Sequence, residues 1–345
     1  MTLQQLLGIE LPIIQAPMAG VQGSALCVAV SNAGALGSLP CAMLSIDGMR
    51  KELAVVQTQT NKPYNVNFFC HQPPIISAER EATWRTALAP YYKEFGIAAA
   101  SIPAGPGRTP FNSEFADVLT EFKPPVVSFH FGLPSPELLA RVRSWGAKIL
   151  SSATTVDEAR WLEAHGVDAI IAQGLEAGGH RGIFLSEDLT TQVGTFALLP
   201  QIVKAVNVPV IAAGGIADAK GIAAALELGA AGVQIGTAYL LCPEVFTTAI
   251  HRAALKSEAA KHTALTNLFT GRPARGIVNR VMREQGSISS APPAFPLATS
   301  AIAPLRAKAE SMGSGDFSPL WSGQNATGCE EIPAAELTRK LATGI

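Results

Sequence analysis

The sequence has almost no net charge and little charge of either sign. Its 26 Lys and Arg residues stand against 27 Asp and Glu residues, a net charge of −1, and charged residues make up only 15% of the 345 positions. A nearly neutral chain has no field that holds nucleic acid or an anionic membrane by charge, so neither is an expected partner. No stretch reaches the roughly 18 uncharged apolar residues of a membrane span. No basic residue precedes the first apolar run, so no signal peptide is expected.

Cysteine is scarce and scattered, and several familiar motifs are missing. The five cysteines are odd in number and show no C-x-x-C spacing, which excludes a disulfide framework or a zinc knuckle and is typical of a reducing cytoplasm. Without H-E-x-x-H or a Cys/His cluster, no metal site is expected. The sequence also lacks a Rossmann glycine motif after a strand, a P-loop and a G-x-S-x-G nucleophile elbow.

The residues that are present are mostly apolar (48% hydrophobic) and fall into alternating short and long segments. Short β-branched runs, several of them apolar throughout, alternate with Ala- and Leu-rich stretches. Buried parallel strands alternating with helices predict an α/β fold, specifically a (β/α)₈ TIM barrel. The expected strands are Ile13–Ala16, Ala35–Ser38, Asn65–Phe69, Val126–Phe129, Lys148–Ser151, Asp168–Ala172, Val208–Ala213 and Ala231–Ile235. We expect the barrel to span residues 1–242, with an insertion at about 70–125, and a helical extension with a loop to span 243–345.

Glycines follow the seventh and eighth predicted strands. Gly214 and Gly215 follow the seventh strand, and Gly236 and Thr237 follow the eighth. In this fold the loops after these two strands form the usual phosphate site, because backbone N–H groups approach an anion closely there. The pattern therefore predicts phosphate binding, although a tight turn alone also accounts for the glycine pair.

A glycine-rich loop with a single histidine, Gln173–Gly182, follows the sixth strand. His180 comes directly after two glycines at the functional end of the barrel, where a ring with a near-neutral pKa suits acid–base or anion-stabilising work. Arg181 either serves the site or is an exposed arginine at a helix start. On the fourth strand, side-chain alternation places Ser128 and His130 on one face, toward the barrel mouth. We expect the remaining histidines to be structural or exposed: His71, His165, His251 and His262.

The sequence resembles the flavin-dependent nitronate monooxygenases of the first class, once called 2-nitropropane dioxygenases. The Gly-Gly-His segment is also similar to FMN-dependent enoyl-acyl-carrier-protein reductases and to some NADH:quinone reductases. The Ser-Phe-His-Phe-Gly-Leu-Pro segment and the Gly-Arg-Pro-Ala-Arg segment favour the monooxygenases. The segments that carry the resemblance are Ala16–Gly20, Val127–Pro134, Gln173–Gly182, Ala212–Ile216 with Gly232–Leu240, and Gly271–Arg280.

The resemblance implies a barrel that holds FMN without a covalent bond and without a metal. It places the phosphate on Gly214, Gly215, Gly236 and Thr237, and lines the ring and ribityl chain with Pro17, Met18, Asn67, Gln173, Gly178, Gly179 and Gln234. It makes His180 the active-site histidine and His130 a second histidine of the substrate pocket. The family pocket also uses tyrosines and a lysine from the later chain; Lys308 is the candidate lysine, but none of the four tyrosines lies in the extension at 243–345.

The activity implied is FMN-dependent oxidation of propionate 3-nitronate or small alkyl nitronates by dioxygen, giving an aldehyde or ketone plus nitrite. A protonated His180 would stabilise the anion, which is the role we favour, whereas a neutral His180 would remove a proton from a nitroalkane. The alternatives are an NAD(P)H-dependent FMN reductase of quinones or enoyl thioesters, and a non-enzymatic barrel that binds FMN or phosphate. Whether the protein is a monomer or a homodimer stays open.

Overall fold

The computed structural model, which describes residues 2–98, 102 and 107–344, contains an eight-stranded parallel barrel. The strands are hydrogen-bonded in the order β1-β9-β8-β6-β5-β4-β3-β2, and a parallel bridge between Ile14 and Leu36 joins the two ends. The (β/α)₈ barrel predicted from the sequence is therefore confirmed. Its strands are β1 (Ile13–Gln15), β2 (Gly37–Pro40), β3 (Tyr64–Phe69), β4 (Val126–His130), β5 (Lys148–Ala153), β6 (Ala169–Gln173), β8 (Val210–Ala213) and β9 (Gly232–Ile235).

The barrel strands are buried on both faces, which explains their apolar composition. Every residue of β3 and β6 is buried, because side chains of one face fill the barrel and those of the other pack under the outer helices. The outer ring contains α2 (Ser24–Asn32), α3 (Ile46–Gln59), α5 (Ser113–Phe122), α6 (Pro136–Arg143), α7 (Val156–Ala164), α8 (Thr195–Ala205) and α9 (Ala219–Glu227), and α1 (Leu3–Leu7) precedes β1.

Helix α13 (Ala334–Leu341) completes the outer ring. It packs between α9 and α2, and Ala334, Leu337 and Leu341 join the main apolar core of the barrel. The sequence interpretation had grouped all of residues 243–345 into one extension. The structure corrects that grouping for α13, since the eighth helix of the barrel comes from the end of the chain.

The expected insertion and extension form a second layer beside the barrel. Helix α4 (Ala78–Glu94) of the insertion packs against α12 (Ala298–Ser311), and Trp84 and Phe317 lie in their shared core. Part of the expected insertion, residues 99–101 and 103–106, lies outside the described residues. The extension also contains α10 (Ala249–Leu255), α11 (Arg280–Gln285) and a 3-10 turn at Glu258–Lys261; two further 3-10 turns are Leu189–Thr191 and Thr237–Leu241.

A small antiparallel sheet connects the extension to the barrel mouth. Strands β10 (Thr263–Thr266), β11 (Ala274–Ile277) and β7 (Gly179–His180) pair in that order, with His180 opposite Ala274. The extension thus holds the glycine-rich loop that follows β6. None of the helices in the described ranges is long and apolar enough to cross a membrane.

Candidate active site

A deep cavity opens at the carboxyl ends of the barrel strands. Its empty space is about 1370 Å³, part of which is open to solvent. Thirteen residues expected from the sequence to bind cofactor or substrate, or to act in catalysis, line it: Pro17, Met18, Asn67, His130, Gln173, Gly178, Gly179, His180, Gly214, Gly215, Gln234, Gly236 and Thr237. The structure therefore brings together positions from six different strand ends, as the barrel topology requires.

Lys308 is the exception. It is exposed on α12 and does not line this cavity, because Ala309 and Leu305 form the buried face of that helix. The assignment of Lys308 to the substrate pocket was wrong. No lysine or tyrosine appears among the described residues of the cavity wall; Tyr239, for instance, is buried with its hydroxyl 2.9 Å from that of Thr338.

The glycine loops after β8 and β9 present backbone donors without partners. Within the described chain, the N–H groups of Gly214, Gly215, Ile216 and Gly236 donate no hydrogen bond. Gly214 and Gly215 have φ values of +116° and +74°, a conformation that favours glycine. Three of these residues are half-buried and Gly215 is exposed, so the four N–H groups point into accessible space, where they can bind an anion.

The segment from Trp321 to Asn325 crosses these loops, which the sequence reasoning did not foresee. The N–H of Gly323 donates to Oγ1 of Thr237 at 2.9 Å, and Nδ2 of Asn325 donates to the carbonyl of Gly215 at 3.0 Å. A Cβ on Gly178 would lie 2.5 Å from the nitrogen of Gly323, so Gly178 leaves room for the crossing. Local sequence gave no signal beyond a Pro-, Ser- and Gly-rich composition.

The middle of the cavity carries amide side chains. Asn67 donates to Oγ of Ser128 at 2.9 Å, and its Oδ1 has no partner in the described structure. Oε1 of Gln234 is buried and has no hydrogen-bond partner. Of these two acceptors Oε1 of Gln234 is the buried one, and a buried acceptor without a partner costs free energy unless a ligand supplies a donor. Together with the free donors of the glycine loops, they fit a ligand that has an anionic end and a polar ring edge.

Gln173 holds the glycine-rich loop in place. Its Nε2 donates to the carbonyl of His180 at 2.9 Å, and its Oε1 accepts from the N–H of Gly182 at 2.7 Å. Gly179 has φ +71° and open space around the position of a Cβ. The loop therefore places His180 against the cavity with a bare backbone beside it.

His180 has one ring nitrogen occupied and one available. Nε2 lies 2.9 Å from the hydroxyl of Thr270, which itself donates to the carbonyl of Arg272 at 3.3 Å. Because the single proton of that hydroxyl is used on the carbonyl, Thr270 accepts from Nε2–H, and Nδ1 keeps a lone pair. Nδ1 has no partner among the described residues and is not sealed from the cavity.

His180 is neutral at pH 7. Burial lowers its pKa well below the ordinary value, and the positive charges of Arg108 and Arg272 lower it further. This corrects the role that we favoured from the sequence, in which a protonated His180 supplies the positive charge. The positive charge in the cavity wall comes from Arg108, and His180 offers a lone pair.

His130 has both ring nitrogens bonded. Its Nε2–H donates to the carbonyl of His180 at 3.2 Å, and its Nδ1 accepts from the hydroxyl of Ser152 at 3.0 Å. Burial lowers its pKa to about 4, and Arg272 acts in the same direction. His130 is therefore a neutral side chain that positions His180, and only its ring face is offered to a ligand.

Arg181 is fully buried, so the interpretation as an exposed arginine was wrong. Its guanidinium donates to the carbonyls of Gly174 and Gln173 at 2.6 and 2.8 Å and to Oε1 of Gln192 at 3.0 Å. Burial lowers its pKa to about 10. Arg181 holds the loop from behind and does not line the cavity.

Further cavity residues were missed or misjudged. His251 lines the cavity and donates from Nε2 to the carbonyl of Trp321 at 3.1 Å, and burial lowers its pKa to about 4. Arg108 also lines the cavity, whereas no Asp or Glu does so in the described part. The described ranges hold no cluster of His, Cys, Asp and Glu that could bind a metal ion, and all five cysteines are free.

Comparison with known proteins gives a consistent result. The family model of nitronate monooxygenase matches residues 1–344. Nitronate monooxygenase of Paraburkholderia phytofirmans is 44% identical over 342 residues, which covers 97% of this chain and 92% of the relative. The crystal structure of nitroalkane oxidase from Streptomyces ansochromogenes superposes with a TM-score of 0.90 at 40% identity, over 99% of this chain and 96% of the other. FabK from Thermotoga maritima is more distant, with a TM-score of 0.71 at 27% identity, over 99% of this chain and 94% of the other. The resemblance seen in the sequence is confirmed, and this chain belongs to the nitronate monooxygenase family of flavin-dependent oxidoreductases.

Proposed function

We propose that this enzyme binds FMN without a covalent bond and oxidises nitronates with dioxygen to an aldehyde or ketone plus nitrite. The observation that carries the proposal is the wall of the cavity. One end of the wall carries free backbone N–H donors, and the other end carries Arg108 and the neutral His180. No carboxylate lines the described part of the wall. Such a site suits a cofactor with a phosphate and a substrate that is itself an anion.

The residues present fit FMN. Its phosphate would lie on the N–H groups of Gly214, Gly215 and Gly236, with the hydroxyl of Thr237 nearby. Pro17 and Met18 would supply an apolar surface for the ring. Oε1 of Gln234, which is buried and unpaired, and Oδ1 of Asn67, which accepts no hydrogen bond from the described residues, would take donors from the ligand. When bound, FMN supplies the electron transfer from substrate to dioxygen, and the protein supplies orientation and electrostatics.

The positive field of the cavity attracts an anionic nitronate. Arg108 provides the charge within the wall, and with no acid beside it the field is not cancelled there. A bound anion also raises the pKa of His180, because an opposite charge favours the protonated ring. Nδ1 of His180 therefore accepts a proton from a neutral nitroalkane or holds one against a bound nitronate.

Dioxygen consumption and nitrite release test the proposal directly. Purified, flavin-loaded enzyme is mixed with preformed propyl nitronate, and both quantities are followed at neutral pH. Stoichiometric nitrite is the expected result, and heat-released flavin should be FMN by mass. If NADH bleaches the flavin without oxygen while nitronates are not consumed, the enzyme is a reductase. A protein that does neither is a binding barrel.

A further inference from the structure

One cation in the cavity wall lacks a counter-ion. Arg108 is half-buried, and in the described chain no carboxylate lies within 4.0 Å of its guanidinium and no acceptor hydrogen-bonds to it. Other arginines near the site are occupied. Arg181 and Arg275 each donate to backbone carbonyls and to a side chain, and Arg272 donates to the carbonyl of Ile183.

The environment of Arg108 disfavours an unpaired charge. Its Cζ lies 5.5 Å from the centre of the Phe295 ring, which supplies only a weak cation–π contact. Burial lowers the pKa of Arg108, and no acidic neighbour opposes that effect. A half-buried guanidinium held without a partner is stabilised when an anion arrives, because the desolvation cost has already been met in folding.

Arg108 and His180 face the same space. The Phe295 ring is near both, 5.5 Å from Cζ of Arg108 and 5.4 Å from the ring of His180, and the charge of Arg108 lowers the pKa of both His180 and His71. These two histidines are neutral, so they do not compete with Arg108 for an anion. Arg108 also borders a shallower groove beside Met43 and Pro296, which places it at the outer end of the deep cavity.

We propose that Arg108 determines substrate specificity by binding a carboxylate at the far end of the substrate while the nitronate group lies near His180. A planar guanidinium pairs with a carboxylate through two parallel hydrogen bonds. The enzyme then prefers short nitronates that carry a carboxylate over alkyl nitronates of equal length. This inference rests on the proposed function for the reaction, but the binding of the carboxylate itself does not require turnover.

A pair of substrates distinguishes binding of the carboxylate from binding of the nitronate group. Propionate 3-nitronate and propyl 1-nitronate have the same chain length and differ in the terminal carboxylate. For Arg108→Gln, we expect kcat/KM on propionate 3-nitronate to fall about 100-fold, mostly through KM, which is within the range for losing one partner of a buried charge pair. Propyl nitronate loses only the general attraction of the positive field and no paired carboxylate, so its kcat/KM should fall much less, by about tenfold or less. Arg108→Lys, which keeps the charge without the planar fork, should lie between wild type and Arg108→Gln.

A binding measurement avoids dependence on catalysis. Calorimetric titration with succinate, a non-reacting dianion, should show at least tenfold weaker binding to Arg108→Gln. Arg283→Gln removes an exposed arginine of α11 that lies outside the cavity, and it should match wild type in both assays. Flavin content and melting temperature are checked for each variant. If Arg108→Gln does not fold, Arg108→Lys replaces it in both assays.

Two results would overturn the inference. Equal losses on both nitronates would mean that Arg108 acts on the reacting group or on the fold, and unchanged succinate binding in Arg108→Gln would mean that it binds no carboxylate. If wild-type enzyme consumes neither nitronate, the proposed reaction fails, yet the succinate titration still decides the role of Arg108.

Discussion

The hydroxyl of Thr270 lies 2.9 Å from Nε2 of His180 and determines which ring nitrogen carries the proton. Thr270 is buried in the extension, ninety positions after His180, and its own proton is used on the carbonyl of Arg272. The histidine is thus held as the Nε2–H tautomer with its Nδ1 lone pair available. This arrangement is the usual way in which a neighbouring group orients a catalytic imidazole.

Replacing Thr270 with valine should impair proton abstraction without removing the base. Valine has nearly the same shape but no acceptor, so Nε2–H loses its partner and the tautomer is no longer fixed. We expect the rate with neutral nitroethane to fall about tenfold, the equivalent of one hydrogen bond of roughly 1.4 kcal/mol. Preformed ethyl nitronate should lose less than about threefold. Thr270→Ser, which keeps the hydroxyl, is the control, and an equal loss on both substrates would contradict the assignment.

The sequence was most informative for site residues that lie directly after a barrel strand. Gly214, Gly215 and Gly236 were predicted from their positions after two strands, and His180 from a glycine pair on a third loop, because barrel topology brings these ends together. Arg108 and Thr270 could not be found this way, since each reaches the cavity from a segment outside the strand–helix repeat.

Two errors have the same physical origin. Lys308 was assigned by resemblance alone, without a local pattern that showed which face of its helix is buried. Arg181 was judged by its charge, yet three hydrogen bonds allow a guanidinium to be fully buried. Tertiary partners decide both cases, and a single sequence does not show them.

Gly178→Ala should weaken retention of the flavin. The new Cβ would lie 2.5 Å from the nitrogen of Gly323, so the segment that crosses the glycine loops must shift. Overpacking of this kind costs about 1–3 kcal/mol, which corresponds to roughly tenfold to hundredfold weaker binding. The ratio of flavin to protein absorbance after dialysis measures the effect. Gly221→Ala on α9, where a Cβ makes only ordinary contacts, should keep its flavin. Similar losses of flavin in both variants would mean that the contact between Gly178 and the crossing segment does not control flavin retention.

At Gly215 the backbone conformation, more than the space around it, limits substitution. A Cβ there would point at the side chain of Glu176, at 3.4 Å, and φ is +74°. Gly215→Ala should therefore act through backbone strain of about 1–2 kcal/mol and not by filling the phosphate space. Urea unfolding of the flavin-free protein should show this loss, and an unchanged midpoint would mean that the loop relaxes freely.

Stability should fall in mild acid because of His251. Its pKa is about 4 in the folded protein and near 6.5 when unfolded, so below pH 6.5 the unfolded state binds a proton that the folded state does not. The free energy of unfolding should therefore decrease from pH 6.5 toward pH 4, by up to about 1.4 kcal/mol per pH unit for this group. Urea titrations at pH 7 and pH 5 measure this change. The free energy of unfolding should differ less between the two pH values for His251→Gln than for wild type. His262→Gln, at an exposed histidine, should behave as wild type.

His180 is positioned to act as a base toward neutral nitroalkanes, because its Nδ1 keeps a lone pair beside the cavity. A nitroalkane must lose a proton before it is oxidised, whereas a preformed nitronate has already lost it. His180→Asn should therefore slow the reaction of neutral nitroethane by about 10²–10⁴-fold, the usual span for general base catalysis, and that of ethyl nitronate by less than about tenfold. Because burial and Arg108 hold the pKa of His180 well below its ordinary value, the wild-type rate with nitroethane should stay level from pH 8 down to pH 6. Oxygen uptake is measured with freshly dissolved nitroethane and with ethyl nitronate. Flavin content is checked first, and His262→Asn is the matched control. Equal losses on nitroethane and ethyl nitronate would show that His180 acts on the bound anion and not as a base, and a fall in rate centred near pH 6.5 would show that its pKa is not depressed.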